Sequence, residues 1–449
     1  MANAPDAALA SGHMFAGTIV ASNYIEMAQL LGESFLAHHP ASRFAILVID
    51  DEAVDHLADG LEILRLSDLD LSVAELDLMK TIYDVMELST AVKPSLLRTL
   101  LRSADTVCYL DPDIYVYSAF DDAIAAVETA GIVLTPHVLQ PVPRDGLAIS
   151  EQAVMESGMF NLGFIAVGPS ALPFLDWWME RLLTDAVVDL DRHLFTDQKW
   201  VDWVPALFDH HVSRDPGMNI AWWNIHERHL ELGDPHPAAN GQPVRFIHYS
   251  GYDPVLPDVL SKHQVSRPRL PHALGTPMRE LADDYGRALI ERGHVERRTG
   301  AYQWAKTVSG LPLTSTMRRL CRDAALDKIR TADTIDELGL PTVFGADDQE
   351  FRRWLNEPIG GSAEHPLTRL ERSVWEKRRD LQSAFPDVDD NDAANFHRWL
   401  SVEDDAIEHL GEFAPPRRPR TGPPTMTARI RARCASAGRR GVQLLRSRM

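Results

Sequence analysis

The sequence predicts an α/β protein with a mostly parallel sheet, followed by an α-helical region and a basic tail. Three observations carry this. Short apolar, β-branched runs alternate with helical patterns up to about residue 265, the pattern of strands joined by crossover helices. Beyond that point the β-branched runs stop and helical spacing dominates. From Pro416 to Met449 there are ten arginines and no acid, in a chain whose net charge is -20. The expected divisions are a nucleotide-binding domain at 14–265, a helical domain at 266–412, and a Pro/Arg-rich linker with a basic tail at 413–449.

The elements follow in order. Phe15–Ala21 reads as a short buried strand, and Ser22 or Asn23 then caps a helix through Tyr24–His38. Phe44–Ile49 is a second strand ended by Asp50 and Asp51, and Leu61–Leu66 a third. Ser89–Leu101 reads as one helix with Pro94 early in it, where a missing N–H does no harm. Thr106–Leu110 is a strand that runs into Asp111-Pro112-Asp113, and Ile132–Thr135, Leu162–Val167 and Val244–His248 are further strands. Met278–Arg292 and Thr316–Arg330 have helical spacing. The similar runs Phe351–Leu355 (FRRWL) and Phe396–Leu400 (FHRWL) are too few for a solenoid and read as two helices docking similar faces.

Composition narrows the function classes. A chain of 449 residues that is 45% hydrophobic has the material for two or three packed domains. An acidic body repels the phosphate backbone and argues against a general nucleic-acid binder. Three scattered cysteines, Cys108, Cys321 and Cys434, make neither a disulfide framework nor a metal knuckle and fit a reducing cytosol. The first residues lack the basic-then-apolar pattern of a signal peptide, and no run approaches 18 uncharged apolar residues. A cytoplasmic protein is expected. The tail from Met426, with Ile430, Val442, Leu444 and Leu445 among its arginines, suits either an anionic membrane surface or a basic disordered tail.

The segment richest in chemistry is Tyr109-Leu110-Asp111-Pro112-Asp113-Ile114-Tyr115-Val116. Two carboxylates two apart, just past an apolar strand, share one side of an extended segment at the sheet edge where open α/β folds bind ligands. They suit Mn²⁺ or Mg²⁺, which neutralises a diphosphate; Asp-Pro-Asp is also an ordinary turn. In Val244–Pro254 (VRFIHYSGYDP), His248 ends a strand and can complete such a metal site, while Gly251 lets backbone approach a phosphate. Asn161, an amide in the apolar run Phe160–Phe164, needs a hydrogen bond from backbone or from a sugar hydroxyl. Asp197 either caps the helix that follows it or meets a substrate. In Met218–His229, Asn219, Asn224, His226 and Glu227 suit an acceptor site; equally, Glu227 and Arg228 suit a buried ion pair that positions the loop.

The pair YLDPDIYV and IHYSG, about 135 residues apart, resembles the GT-A fold retaining glycosyltransferases of family 8, the glycogenin and bacterial galactosyltransferase type. The resemblance covers roughly residues 14–265 and implies a metal-dependent transfer, with retention, from a nucleotide-sugar donor, UDP-sugar first, to a glycan or lipid-linked acceptor. It implies Asp111, Asp113 and His248 as ligands of Mn²⁺ (or Mg²⁺). Phe160-Asn161-Leu162-Gly163-Phe164 is similar to the family's F-N-x-G segment, which implies donor or acceptor contacts for Asn161 and Gly163. Asp197-Gln198 is similar to its D-Q pair, which implies Asp197 on donor hydroxyls and Gln198 beside the anomeric carbon. Thr18–Tyr24 looks like the first strand and turn, which implies base and ribose contacts around Ala21, Asn23 and Tyr24. The family's G-x-x-K-P-W lysine is missing after Gly251, and Lys262 or Lys93 is the candidate for its diphosphate contact. That departure leaves open a non-catalytic scaffold or carbohydrate-binding subunit derived from a transferase. A nucleotidyltransferase, the other alternative, needs a basic Gly-rich loop that TIVASNY does not offer. Arg378–Asp387 resembles a segment of bacterial multi-domain glycosyltransferases.

Overall fold

The computed structural model describes residues 14–54, 56–264, 268–269, 275–329, 331 and 334–416. The basic tail and the membrane contact expected of it lie outside the described residues. The chain forms two compact units, one from residues up to Asp70 with Ser89–Ala301, the other from Leu71–Leu88 with residues from Tyr302 onward. Among the described residues no helix is long and apolar enough to cross a membrane.

The first seven strands of the chain all belong to the first unit. They are β1 (Met14–Val20), β2 (Arg43–Val48), β3 (Leu61–Arg65), β4 (Thr106–Leu110), β5 (Ile114–Val116), β6 (Ile132–Pro136) and β7 (Phe160–Val167). The main sheet runs in the order His211–Val212, β6, β7, β4, β1, β2, β3. β1 lies parallel to β2 and β4, β2 to β3, and His211–Val212 to β6. β7 alone runs antiparallel to both its neighbours. This is the mostly parallel α/β architecture that the alternating pattern predicts. Every residue of β1 and β7 is buried, which is why both read as near-continuous apolar runs rather than as alternating ones.

Helix α1 (Ile25–His38) has two apolar faces. Ile25, Ala28, Leu31 and Phe35 pack with Val20, Phe44 and Ile46 of the sheet. Met27 and Leu30 join a second cluster with Tyr249, Leu281 and Tyr285, the last two from the helix Pro277–Glu291. Tyr249 and Tyr285 stack with centroids 4.2 Å apart. Strand order reverses at β1, whose neighbours are β2 on one side and β4 on the other. At such a switch point open α/β sheets bind ligands at the C-terminal strand ends, and Asp111 directly follows β4 there.

Local departures from the expected elements have identifiable causes. Ser89–Leu101 is not one helix; Val85–Ala91 stops and Lys93–Leu100 restarts with Pro94 in its first turn. In a continuous helix the Pro94 ring would collide with the Thr90 carbonyl and leave it without a donor. The helix Leu172–Leu182, unmarked by any strong start signal, buries Phe174, Leu175, Trp178 and Leu182. Val73–Ile82 is capped reciprocally by Ser72 and Glu75, the S-x-x-E box.

Among its described residues the second unit is mostly helical, with Ser315–Ile329 the longest helix and one hairpin, Pro358–Gly361 with Pro366–Thr368. The two similar runs fall in helices Gln349–Leu355 and Ala393–Val402. In each the aromatic pair stacks, Phe351 on Trp354 at 6.2 Å and Phe396 on Trp399 at 5.8 Å.

Burial lowers the pKa of three histidines of the first unit, His137, His263 and His294, to about 4, which predicts acid sensitivity, and His294 gives the simplest test. His294 is 1% exposed and edges onto Tyr24. Burial, aided by Arg298, lowers its pKa to about 4. The unfolded chain therefore binds a proton between pH 6.5 and about 4 that the fold refuses. This contribution to stability is complete above pH 6.5 and is lost as pH falls toward 4. The melting temperature should drop over that interval, and the drop should be shallower in His294→Phe; an equal slope in both proteins would contradict the assignment.

Candidate metal and nucleotide site

The site is assembled by a short antiparallel ladder. β5 pairs with Phe246–His248, so that His248 lies opposite Ile114 and beside Asp113. Tyr249 N–H donates to the Asp113 carbonyl at 2.8 Å, and His248 N–H to that of Ile220 at 2.8 Å. Pro112 closes a turn in which Ile114 N–H reaches the Asp111 carbonyl at 3.0 Å. Asp111 N–H donates to the Gly163 carbonyl at 2.8 Å, extending the β4–β7 pairing by one residue. Segments 135 residues apart are thereby locked into one corner at the end of β4.

Asp111, Asp113 and His248 each offer a ligand atom within 4.8 Å of the others. His248 Nε2 lies 3.0 Å from Asp113 Oδ1 and 3.6 Å from Asp111 Oδ2. The His248 side chain is 4% exposed, whereas the carboxylates keep 29% and 25%, so the imidazole is sealed and the acids remain reachable. Burial lowers the His248 pKa, but the Asp113 and Asp111 charges outweigh it and the net direction is up. Burial likewise raises Asp113, and the His248 charge and hydrogen bond reverse that to a net fall. Asp111 moves up because burial outweighs Lys93 and His248. A corner of two carboxylates and one imidazole could hold a divalent metal ion.

The walls of this corner are polar amides and aromatic rings. Trp223 meets the His248 ring edge-on at 5.3 Å. The Asn161 amide oxygen lies 3.2 Å from His248 Nδ1 and accepts from Gly163 N–H at 3.1 Å and Asn219 Nδ2 at 3.0 Å. Gln198 Oε1 accepts from Leu162 N–H at 3.0 Å and faces Asn161 Nδ2 at 3.4 Å, while Gln198 Nε2 donates to the Ser157 carbonyl. Tyr109 donates its hydroxyl to Asp111 Oδ1 at 2.7 Å.

Lys93 lies inside the protein, 1% exposed. Its ammonium is 2.6 Å from Asp197 Oδ2, donates to the Leu162 carbonyl at 2.8 Å, and sits 4.2 Å above the Tyr109 ring. The other Asp197 oxygen accepts from Thr196 Oγ1 at 3.1 Å. Asp197 makes no side-chain cap to the helix Gln198–Val201. The D-Q pair, the F-N-x-G strand and the D-x-D strand are thus tied together through one buried cation.

The remaining expected residues are spread around this centre. Ala21 is buried at the end of β1, and Asn23 donates to the Arg298 and Gly300 carbonyls at 3.2 and 3.1 Å. Tyr24 is 39% exposed. Gly251 has φ +70°, and a Cβ there would meet His263 Cδ2 at 2.4 Å. Lys262 is exposed and donates its backbone N–H to the Gly251 carbonyl. Glu227 and Arg228 do form a buried ion pair, and Glu227 also accepts from Leu139 and Gln140 N–H. That pair positions the loop. Trp223 is one of four tryptophans, with Trp200, Trp203 and Trp222, that suit a sugar face by residue type, whereas Tyr109 and His137, whose Nε2 lies 3.4 Å from Asn161 Nδ2, have no site role by sequence. Tyr109 was the one with a signal, since it precedes Asp111 by two and shares its side of the strand.

Comparison with known proteins finds little sequence similarity. No family model matches the chain. It is 27% identical over 169 residues, 36% of its length, to the uncharacterised protein YfnD of Bacillus subtilis (strain 168), and the match spans about half (52%) of that relative. Among solved structures, galactosyltransferase LgtC in complex with donor and acceptor sugar analogs is similar at TM-score 0.37 and 15% identity, over 63% of this chain and 100% of that one. Mouse xyloside xylosyltransferase 1 in its apo form is similar at TM-score 0.34 and 14% identity, over 53% and 97%.

Proposed function

We propose that this chain is a GT-A type, metal-dependent glycosyltransferase that takes a sugar from a nucleoside-diphosphate donor, a UDP-sugar first, and passes it with retention to a glycan or lipid-linked acceptor. The observation that carries this reading is the convergence of Asp111, Asp113 and His248 at the C-terminal end of β4, beside the switch point of the sheet. Asp111, Asp113 and His248 would hold Mn²⁺ or Mg²⁺, which when bound supplies Lewis-acid stabilisation of charge on the leaving diphosphate.

The chain's own residues position and exclude. Tyr109 aims Asp111 through its hydroxyl, and Trp223 walls the imidazole from water. Lys93 holds the Asp197 carboxylate and the Leu162 carbonyl, and so fixes the strand and loop that border the donor sugar. The Asn161 and Gln198 amides hold the same border. Orientation of the two substrates then supplies much of the rate, since an in-place hydroxyl needs little further chemistry from side chains.

Calorimetric titration of UDP with Mn²⁺, with EDTA, and against Asp113→Ala tests the reading. Binding that needs Mn²⁺ and disappears in Asp113→Ala is expected, followed by slow hydrolysis of a UDP-sugar. Absence of binding for UDP, GDP, CDP and dTDP alike would overturn it. Metal-dependent binding with no turnover of any nucleotide sugar would instead identify a non-catalytic binding subunit.

A further inference from the structure

We infer that Asn161 is a positioning residue for His248: its amide oxygen holds the proton on Nδ1 and so turns the Nε2 lone pair toward Asp111 and Asp113. The inference rests on the metal-site reading proposed above and concerns how that site is built.

Hydrogen-bond direction fixes the arrangement. Gly163 N–H can only donate, and it lies 3.1 Å from one terminal atom of the Asn161 amide. That atom must therefore be the oxygen. The Asn219 amide nitrogen donates to the same oxygen at 3.0 Å, and Asn219 is itself set by Thr135 Oγ1 at 2.9 Å. On the other end, Asn161 Nδ2 faces Gln198 Oε1 at 3.4 Å, whose identity as oxygen is fixed by Leu162 N–H at 3.0 Å. The Asn161 amide is locked at both ends and cannot flip. His248 Nδ1, 3.2 Å from that oxygen, meets an acceptor with no proton to give, so Nδ1 must carry one. In the protonated ring Nε2, 3.0 Å from Asp113 Oδ1, donates as well; when that proton leaves, Nδ1 keeps its own and the freed Nε2 lone pair faces the two carboxylates.

The packing serves the same end. Asn161 is 7% exposed, so its polar groups are spent inside the protein. Gly163 leaves the space that the His248 ring occupies, and Trp223 packs edge-on against the same ring. Groups that orient a metal ligand in this manner commonly change metal affinity 10–100-fold when removed.

The test is Mn²⁺ affinity, measured with the metal alone on the full chain, in Asn161→Ala, Asn161→Asp, His248→Ala and the double variant Asn161→Ala/His248→Ala. Asn161→Ala should weaken Mn²⁺ binding about 10–100-fold. Asn161→Asp keeps an acceptor for Nδ1–H and should retain most of the affinity. In the His248→Ala background the Asn161→Ala change should have no further effect, because the imidazole it orients is gone. A weakening by His248→Ala without one by Asn161→Ala, or fully additive losses, overturns the inference and leaves the metal site standing. Unchanged affinity in His248→Ala overturns both. Where Asn161→Ala fails to fold, ¹⁵N shifts of histidine in the Mg²⁺-loaded wild-type protein decide. A protonated Nδ1 at His248 supports the inference, and a protonated Nε2 overturns it.

Discussion

Lys93→Met should destabilise the first unit by about 3–5 kcal/mol, the cost of removing one partner from a buried ion pair. The lysine is 1% exposed and its ammonium lies 2.6 Å from Asp197, itself 2% exposed. Methionine fills a similar volume, so the loss is electrostatic rather than a cavity. It leaves the Asp197 carboxylate in the interior with only the Thr196 hydroxyl and frees the Leu162 carbonyl of its donor. Asp197→Asn strands the cation instead and should also destabilise, though less, because Leu162 and the Tyr109 ring remain to it. Replacing both partners, Lys93→Met with Asp197→Leu, removes the desolvation cost together with the attraction and should recover most of the stability. Denaturant melts of the four proteins check this. A single variant as stable as wild type would show that the pair contributes nothing.

Lys93 also shows where the sequence is legible and where it is not. By residue type a lysine belongs on the surface, and nothing in AVKPSLL signals a buried one. What buries it is the helix restart forced by Pro94, which starts a helix at Lys93 beside β4 and β7. The α/β class, the strands β1, β2, β4 and β7 and the helix α1 were legible because each is a long apolar run or a sustained 3.6-residue pattern. The D-x-D turn was legible because it directly follows such a run. The contact of His248 with Asp113 was not written in any local pattern. It depends on a ladder of three residues a side, too short to be recognised from either segment; the chemistry of an imidazole as a third ligand suggests it, and the likeness of the two motifs to a known family pairs them. The second unit gave up its helices and not its organisation: Leu71–Leu88 packs there, far in sequence from the rest of that unit, and no composition change marks it. The amide network around Asn161 was hidden for a different reason. Its direction is set by backbone N–H groups of Gly163 and Leu162, which carry no sequence signature.

Gly163→Ala should abolish tight Mn²⁺ binding while leaving the fold assembled. An added Cβ would lie 2.4 Å from His248 Cε1, 2.5 Å from its Nδ1 and 2.8 Å from Asn161 Oδ1. The imidazole is edged by Trp223 and 4% exposed, and the Asn161 amide is held from both ends. The backbone of Gly163 is equally tied, its N–H to Asn161 and its carbonyl to Asp111. β7 is paired along its backbone to β4 and β6, whereas the ring is held only through side-chain contacts, so the methyl group displaces the ring before the strand. Overpacking of this kind costs about 1–3 kcal/mol, which a large α/β unit tolerates, whereas a ligand displaced from its acceptor loses about 10–100-fold in metal affinity. The expected result is a modest fall in melting temperature with a large rise in the Mn²⁺ dissociation constant, matched by His248→Ala. Wild-type Mn²⁺ affinity in a folded Gly163→Ala protein would mean that the imbalance between ring and strand runs the other way, and that β7 rather than His248 yields.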